Sequence, residues 1–282
     1  MSGDTTAHLG DWELVARPAL GGALVACRYR GVDILRDARS SDHVTQTAAY
    51  PLVPFCGRIE QGTFQWRGHT VHLAPNFLPE PHAIHGTGWT SIWGAEVTAD
   101  GLSLSMFNDI GWWPWPFLAK QMFEADGPCL SLTMSLTNTG ETAMPAGLGW
   151  HPFFPAQGAT LSAGTASIWA GAPDTHPQPP SAEQDLGRGR PAESLDIDHC
   201  YDWPGRWARL SYDHGRPGVE LRSQPLAQFL TVYHPPGADF ICAEPLTHVP
   251  NALNLPHAPE MAVLEPCETL SMIAHLDIAE NS

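Results

Sequence analysis

Three short stretches set histidine or glutamate among apolar, aromatic and proline residues. They are Pro81-His82-Ala83-Ile84-His85-Gly86-Thr87-Gly88-Trp89, Gly149-Trp150-His151-Pro152-Phe153-Phe154, and the run from Cys242-Ala243-Glu244-Pro245 through His248 to Asn254. A carboxylate or imidazole in such company binds its proton with shifted affinity, which is what proton-transfer chemistry needs. A blander reading stands beside each. A histidine next to glycine or proline can be a loop residue bonded to backbone, and a Glu-Pro pair can be a solvated carboxylate before a turn. The 14 histidines also include two His-x-x-His pairs, His69/His72 and His82/His85. Positions i and i+3 of a strand point to opposite faces, and His69 and His72 lie in a strand-like run. No metal site is expected from them.

A fourth stretch, Gly111-Trp112-Trp113-Pro114-Trp115-Pro116-Phe117, is rich in tryptophan. Its rings could be core. Its glycine and prolines argue instead for an irregular, partly exposed segment, and exposed aromatic rings pack well against the C–H faces of a sugar. Trp113 is the candidate for that contact.

The elements that must position these groups are strands. From Leu130 to Thr137 every even position is apolar and every odd one carries a hydroxyl. Leu102, Leu104 and Met106 alternate with serines, and Leu270, Met272, Ala274, Leu276 and Ile278 line one side of another run. Such alternation puts one face on a core and the other toward water. Asp100-Gly101 and Asp126-Gly127 fall between runs and read as hairpin turns. No long stretch carries helical periodicity and no repeat of fixed period is apparent. The reading is an all-β chain of many antiparallel strands in one domain. One excursion interrupts it, a proline- and glycine-rich loop at about residues 171–193.

Lys and Arg total 14 against 30 Asp and Glu, a formal net charge of −16. A field of that sign repels phosphate backbones and anionic lipid surfaces, so neither nucleic acid nor membrane is expected as a partner. Residues 1–10 lack a basic run followed by an apolar stretch, and no run of about 18 apolar residues occurs. Six scattered cysteines without a Cys-x-x-Cys pair fit reduced, mostly buried thiols in a cytoplasmic protein.

In this order and these surroundings the clusters resemble the aldose 1-epimerases, or galactose mutarotases. The resemblance begins at Pro18-Ala19-Leu20-Gly21-Gly22 and Asp33-Ile34-Leu35-Arg36, and continues through Pro51-Leu52-Val53-Pro54-Phe55-Cys56-Gly57-Arg58-Ile59 and Gly62-Thr63-Phe64. The His85, Trp-Pro-Trp-Pro-Phe, His151 and Glu244 clusters follow, and Leu264-Glu265-Pro266-Cys267-Glu268-Thr269 closes it. It implies a large antiparallel β-sandwich whose concave face holds a free monosaccharide, and chemistry without metal or coenzyme. By the same resemblance Glu244 is the general base on the anomeric hydroxyl and His151 the general acid on the ring oxygen. His85 helps hold and polarise that oxygen, while Arg58 and Asp198 bond sugar hydroxyls, with Asp196 and Asp202 as alternatives to Asp198. Two departures stand out. Gly57 sits where many members have Asn, which is expected to loosen a polar contact near Arg58, and Cys267 replaces the usual Gly of the last turn.

Three other readings compete. A hexose-6-phosphate mutarotase would need a cationic pocket, for which Arg188 and Arg190 are available. A glycoside hydrolase would use Asp198 and Glu244 as two carboxyls flanking a cleft. A non-catalytic sugar-binding protein would need neither a poised base nor a poised acid.

Overall fold

The computed structural model describes residues 3–169, 176–224 and 227–279. Among them every helical segment is a three-residue 3₁₀ turn, and the rest of the regular structure is β. Among the described residues, no helix is long and apolar enough to cross a membrane. All ladder pairings between strands are antiparallel.

A ten-stranded sheet runs from Thr5–Leu9 through Trp12–Arg17, Ala23–Tyr29, Ala49–Leu52, Gly149–Pro155, Phe240–Leu246, Phe229–His234 and Ile197–Asp202 to Ile168–Trp169, with Val32–Asp33 beside Ala23–Tyr29. A nine-stranded sheet is built around the long strands Phe117–Asp126, Cys129–Asn138 and Thr269–Ala279. The alternating runs seen in the sequence are the strands of this second sheet. Leu130, Leu132, Met134 and Leu136 are buried, and the intervening residues are half-exposed. The Asp126-Gly127 turn is a hairpin in which Asp126 pairs with Cys129 and Gly127 takes φ +54°.

The two sheets close one sandwich core. Trp150, Phe154, Leu230, Val232 and Ile241 of the first sheet pack into one cluster with Phe123, Leu132, Met134, Leu221 and Met272 of the second. The other face of the first sheet is also covered. Tyr50, Leu52, Phe153, Cys200, Phe229, Cys242 and Leu246 form a separate cluster there. Period-two geometry therefore divides the central strands into a core face and a concave face that carries aromatic as well as polar side chains.

Part of the expected 171–193 loop is regular. Residues 170–175 lie outside the described residues; beyond them Gln178 bridges to Ile168, and Arg190–Pro191 extends the second sheet by pairing with Thr160 and Leu161. Cys267 adopts φ +69° in the final turn, a left-handed conformation that explains why glycine is the common residue at such a position.

Candidate active site

The concave face of the first sheet forms the floor of a cavity of about 680 Å³. Register places the chemistry. Tyr50 pairs with His151, and the frame that pairs Gly149 with Leu246 and Phe153 with Cys242 sets His151 level with Glu244. Glu244 pairs with Thr231, Thr231 with Cys200, and Cys200 with Trp169. One row across six strands thus reads Tyr50, His151, Glu244, Thr231, Cys200, Trp169, and all six line the cavity. The neighbouring row, Phe153, Cys242, Tyr233, Asp198, supplies three more wall residues.

His151 and Glu244 are both buried, and His151 Nε2 lies 3.3 Å from Glu244 Oε1. Burial drives each toward its neutral form. It holds the Glu244 carboxyl well above the usual carboxylate range, reinforced by Asp198 and opposed by Arg58. It holds the His151 imidazole well below its usual value, with His85 and Arg36 pushing the same way. The two directions describe a pair that shares one proton, since moving it from carboxyl to Nε2 gives carboxylate and imidazolium. His151 Nδ1 is buried without a hydrogen-bond partner, so exchange with a ligand falls to Nε2. The imidazole is held in place by Tyr50 (centroids 4.5 Å apart) and by a nearly parallel Phe153 (4.6 Å).

His85 reaches the cavity from a loop rather than the sheet. It has φ +58°, a strained backbone for a bulky residue. The loop is fixed by Asn76, which donates to the Ile84 and Gly86 carbonyls and accepts from the Ile84 N–H. Gly86 is required, because a Cβ there would stand 2.2 Å from the Val53 carbonyl oxygen. The Gly57 N–H donates to His85 Nδ1 at 3.1 Å, and burial pushes the imidazole down to about 3. A neutral ring whose Nδ1 accepts carries its proton on Nε2. His85 is therefore a fixed neutral donor.

Gly57 explains its own departure from the family pattern. It takes φ +66°, and a Cβ would sit 2.7 Å from Pro250. Its backbone makes the polar contact, donating to His85 Nδ1 and accepting from the His85 N–H. The segment carrying Arg58 is clamped from the third cluster. The Cys56 N–H donates to His248 Nε2, the Glu60 N–H to Asn251 Oδ1, and the Asn251 N–H to the Arg58 carbonyl. His248 also bonds the Val249 carbonyl, so this histidine belongs to the scaffold. Arg58 stands 3.6 Å from Glu80 and 3.9 Å from Asp198.

Of the three aspartates, Asp198 lines the cavity. Asp202 accepts from the Trp169 indole at 2.9 Å, and Asp196 precedes the strand and lies on a different pocket. In the second His-x-x-His pair, His82 Nδ1 and His85 Nδ1 accept from the backbone N–H groups of Gln61 and Gly57. His72 Nδ1 pairs with the Thr63 hydroxyl.

Trp113 is a correction. It is 0% exposed, packed within 6 Å of Phe55, Phe64 and Trp115, and absent from the cavity wall. Proline and glycine in its stretch shape a bend that folds the rings inward. Trp113→Ala is expected to lower unfolding free energy by about 3–5 kcal/mol in urea titrations, and to leave ligand affinity of the folded protein unchanged. The aromatic wall comes instead from Tyr50, Phe77, Trp89, Phe153, Trp169, Tyr233 and Phe240, all of which lie outside the tryptophan-rich stretch. Trp169, Tyr50 and the Thr231/Tyr233 pair carried no signal of their own in the sequence.

Comparison with known proteins agrees with this architecture. An uncharacterized Escherichia coli K12 protein, YphB, is 28% identical over 263 residues, covering 88% of this chain and 90% of its own. A crystal structure from Escherichia coli K12, assigned provisionally as an aldose 1-epimerase, superposes with a TM-score of 0.89 at 25% identity over 99% of both chains. A galactose mutarotase-like protein from Clostridium acetobutylicum shares the fold with a TM-score of 0.86 at 20% identity, over 98% of this chain and 95% of its own. Residues 11–275 match the family Aldose 1-epimerase. The chain belongs to the aldose 1-epimerase family.

Proposed function

We propose that the protein is a mutarotase that interconverts the α and β anomers of a free aldose, with Glu244 and His151 as its proton-transfer pair. The observation that carries this reading is the buried 3.3 Å contact between Nε2 and the carboxyl. The anomeric hydroxyl and the ring oxygen are both bonded to C1. An acid and a base this close together can therefore serve both at once.

In the carboxylate–imidazolium arrangement, Glu244 takes the proton from the C1 hydroxyl while His151 Nε2 gives its proton to the ring oxygen. The C1–O bond of the ring breaks and the C1 carbonyl forms. The pair is left as carboxylic acid and neutral imidazole, the forms that burial favours. After rotation about C1–C2, Glu244 returns a proton to the carbonyl oxygen, His151 takes one from the chain hydroxyl, and the ring closes on the other face. The pair's proton count does not change through the cycle. His85, neutral with Nε2–H free to donate, is suited to polarise the ring oxygen or a hydroxyl near it. Arg58 and Asp198 are suited to orient the remaining hydroxyls.

The charge of the wall supports a neutral substrate. Arg58 is the one lysine or arginine among its described residues, set against Glu60, Asp198 and Glu244. Arg58 is already near Asp198 and Glu80, and neither Arg188 nor Arg190 lines the cavity, which disfavours a phosphate group. The hydrolase reading is disfavoured because the group in direct contact with the Glu244 carboxyl is the His151 imidazole, not Asp198, the second carboxyl of the wall. Anomer-exchange NMR over free and phosphorylated aldoses tests the proposal: exchange is expected with free sugars, and preference for the phosphorylated ones would overturn the substrate assignment. Arg58→Lys is expected to raise KM about tenfold with a smaller change in kcat, because the planar fork is lost.

A further inference from the structure

The imidazole assigned above as proton donor has an unusual neighbour outside the cavity wall. Arg36 lies over the Phe153 ring, its Cζ 3.8 Å from the centroid, and Phe153 in turn stacks on His151 at 4.6 Å and 17°. One ring therefore touches both the guanidinium and the imidazole. The Arg36 N–H also donates to the Phe153 carbonyl. The guanidinium donates from Nε to the Thr47 carbonyl at 2.7 Å and from Nη2 to the Thr45 carbonyl at 2.6 Å. No carboxylate among the described residues forms an ion pair with it; Cys242, Asp239 and Tyr50 act on it at longer range. A partly buried cation bonded to neutral carbonyls keeps most of its field, because no carboxylate is paired with it directly.

We propose that Arg36 is a positioning residue for proton transfer: through Phe153 it disfavours a proton on His151, so that the imidazolium gives it up more readily to the ring oxygen. Its two carbonyl bonds also fix the turn that carries Thr45, a cavity-wall residue. This inference rests on His151 as the acid, though the coupling between Arg36 and His151 is testable without it. The other groups facing the imidazole are Glu244 at 3.3 Å, His85 with rings 5.8 Å apart, Tyr50 at 4.5 Å, and Cys242, whose sulfur lies within 4.8 Å of the pair's ligand atoms. Among the described residues, Arg36 and His85 are the groups that oppose the imidazolium. His85 is itself held neutral by burial, so the fixed positive charge is that of Arg36.

Two variants separate charge from structure. Arg36→Gln removes the charge but can still donate to the Thr45 or Thr47 carbonyl, and Arg36→Lys keeps the charge. Histidine side-chain ¹⁵N NMR, with His151 assigned by its loss in His151→Asn, reads protonation directly. The Gln variant is expected to protonate His151 about one pH unit higher than wild type, and the Lys variant to return toward wild type. The pH profile of anomer exchange should move up by the same amount, because both of its limbs belong to the coupled pair. An imidazole that titrates alike in wild type and Gln variant overturns the proposal, as does one neutral in both down to acid unfolding. A loss of rate that is equal at every pH, and that Lys does not rescue, would reduce Arg36 to a structural role. If no aldose is anomerised, the mutarotase reading fails in the rate measurement while the NMR comparison still decides the role of Arg36.

Discussion

Glu244→Gln is expected to lower kcat for anomer exchange by about 10²–10⁴-fold while KM changes little. The amide has nearly the shape of the carboxyl and can still bond a sugar hydroxyl, but it cannot take the hydroxyl's proton. The same variant should be more stable than wild type at neutral and alkaline pH, and the sign follows from burial. The Glu244 carboxyl holds its proton more tightly in the folded protein than in the unfolded chain. Its contribution to stability is therefore complete below the unfolded value of about 4.3 and is lost as pH rises through the folded value. Glutamine removes that loss. A variant that is inactive yet harder to unfold by urea at pH 8 would separate the carboxyl's chemical role from a structural one.

His151→Asn is expected to abolish exchange to a comparable degree, because no other group reaches the Glu244 carboxyl as closely among the ion-pair contacts of the described residues. The imidazole's folded value lies below its unfolded one, so its stabilisation is present above about pH 6.5 and falls as pH drops toward the folded value. Wild type should thus lose stability on mild acidification more steeply than His151→Asn, as read by thermal unfolding at pH 5 and pH 7.5. The wild-type activity profile should be bell-shaped. Activity falls on the acid side when the pair takes up a second proton and on the basic side when it loses its only one, and both limits belong to the pair.

The second sheet was legible from alternation because one of its faces meets solvent, as in Leu130 to Thr137 and Leu270 to Ile278. The first sheet was not. Strand Phe229–His234 reads Phe-Leu-Thr-Val-Tyr-His, with Leu230 and Val232 in the sandwich core and Thr231 and Tyr233 in the cavity wall. Because the cavity face carries aromatic as well as polar side chains, polar and apolar residues no longer alternate cleanly. Glu244 and His151 were visible as ionisable residues in apolar runs, and their ordered motifs suggested a pairing. Their adjacency depends on strand register, which local sequence does not encode. Tyr50 and Trp169 enter the site through that same register, from segments carrying no chemistry of their own. Trp113 shows the converse: composition suggested exposure, and packing of four aromatic residues decided burial.

The central claim is most directly tested by polarimetry of a freshly dissolved pure α-anomer of a free aldose at neutral pH, with catalytic amounts of wild-type protein and of Glu244→Gln and His151→Asn. The expected result is decay of optical rotation to the same equilibrium value, faster in proportion to wild-type concentration and at the buffer rate with either variant. Decay at the buffer rate for every aldose with wild-type protein, or acceleration undiminished in either variant, would contradict the assignment of a proton-transferring pair at the floor of this cavity.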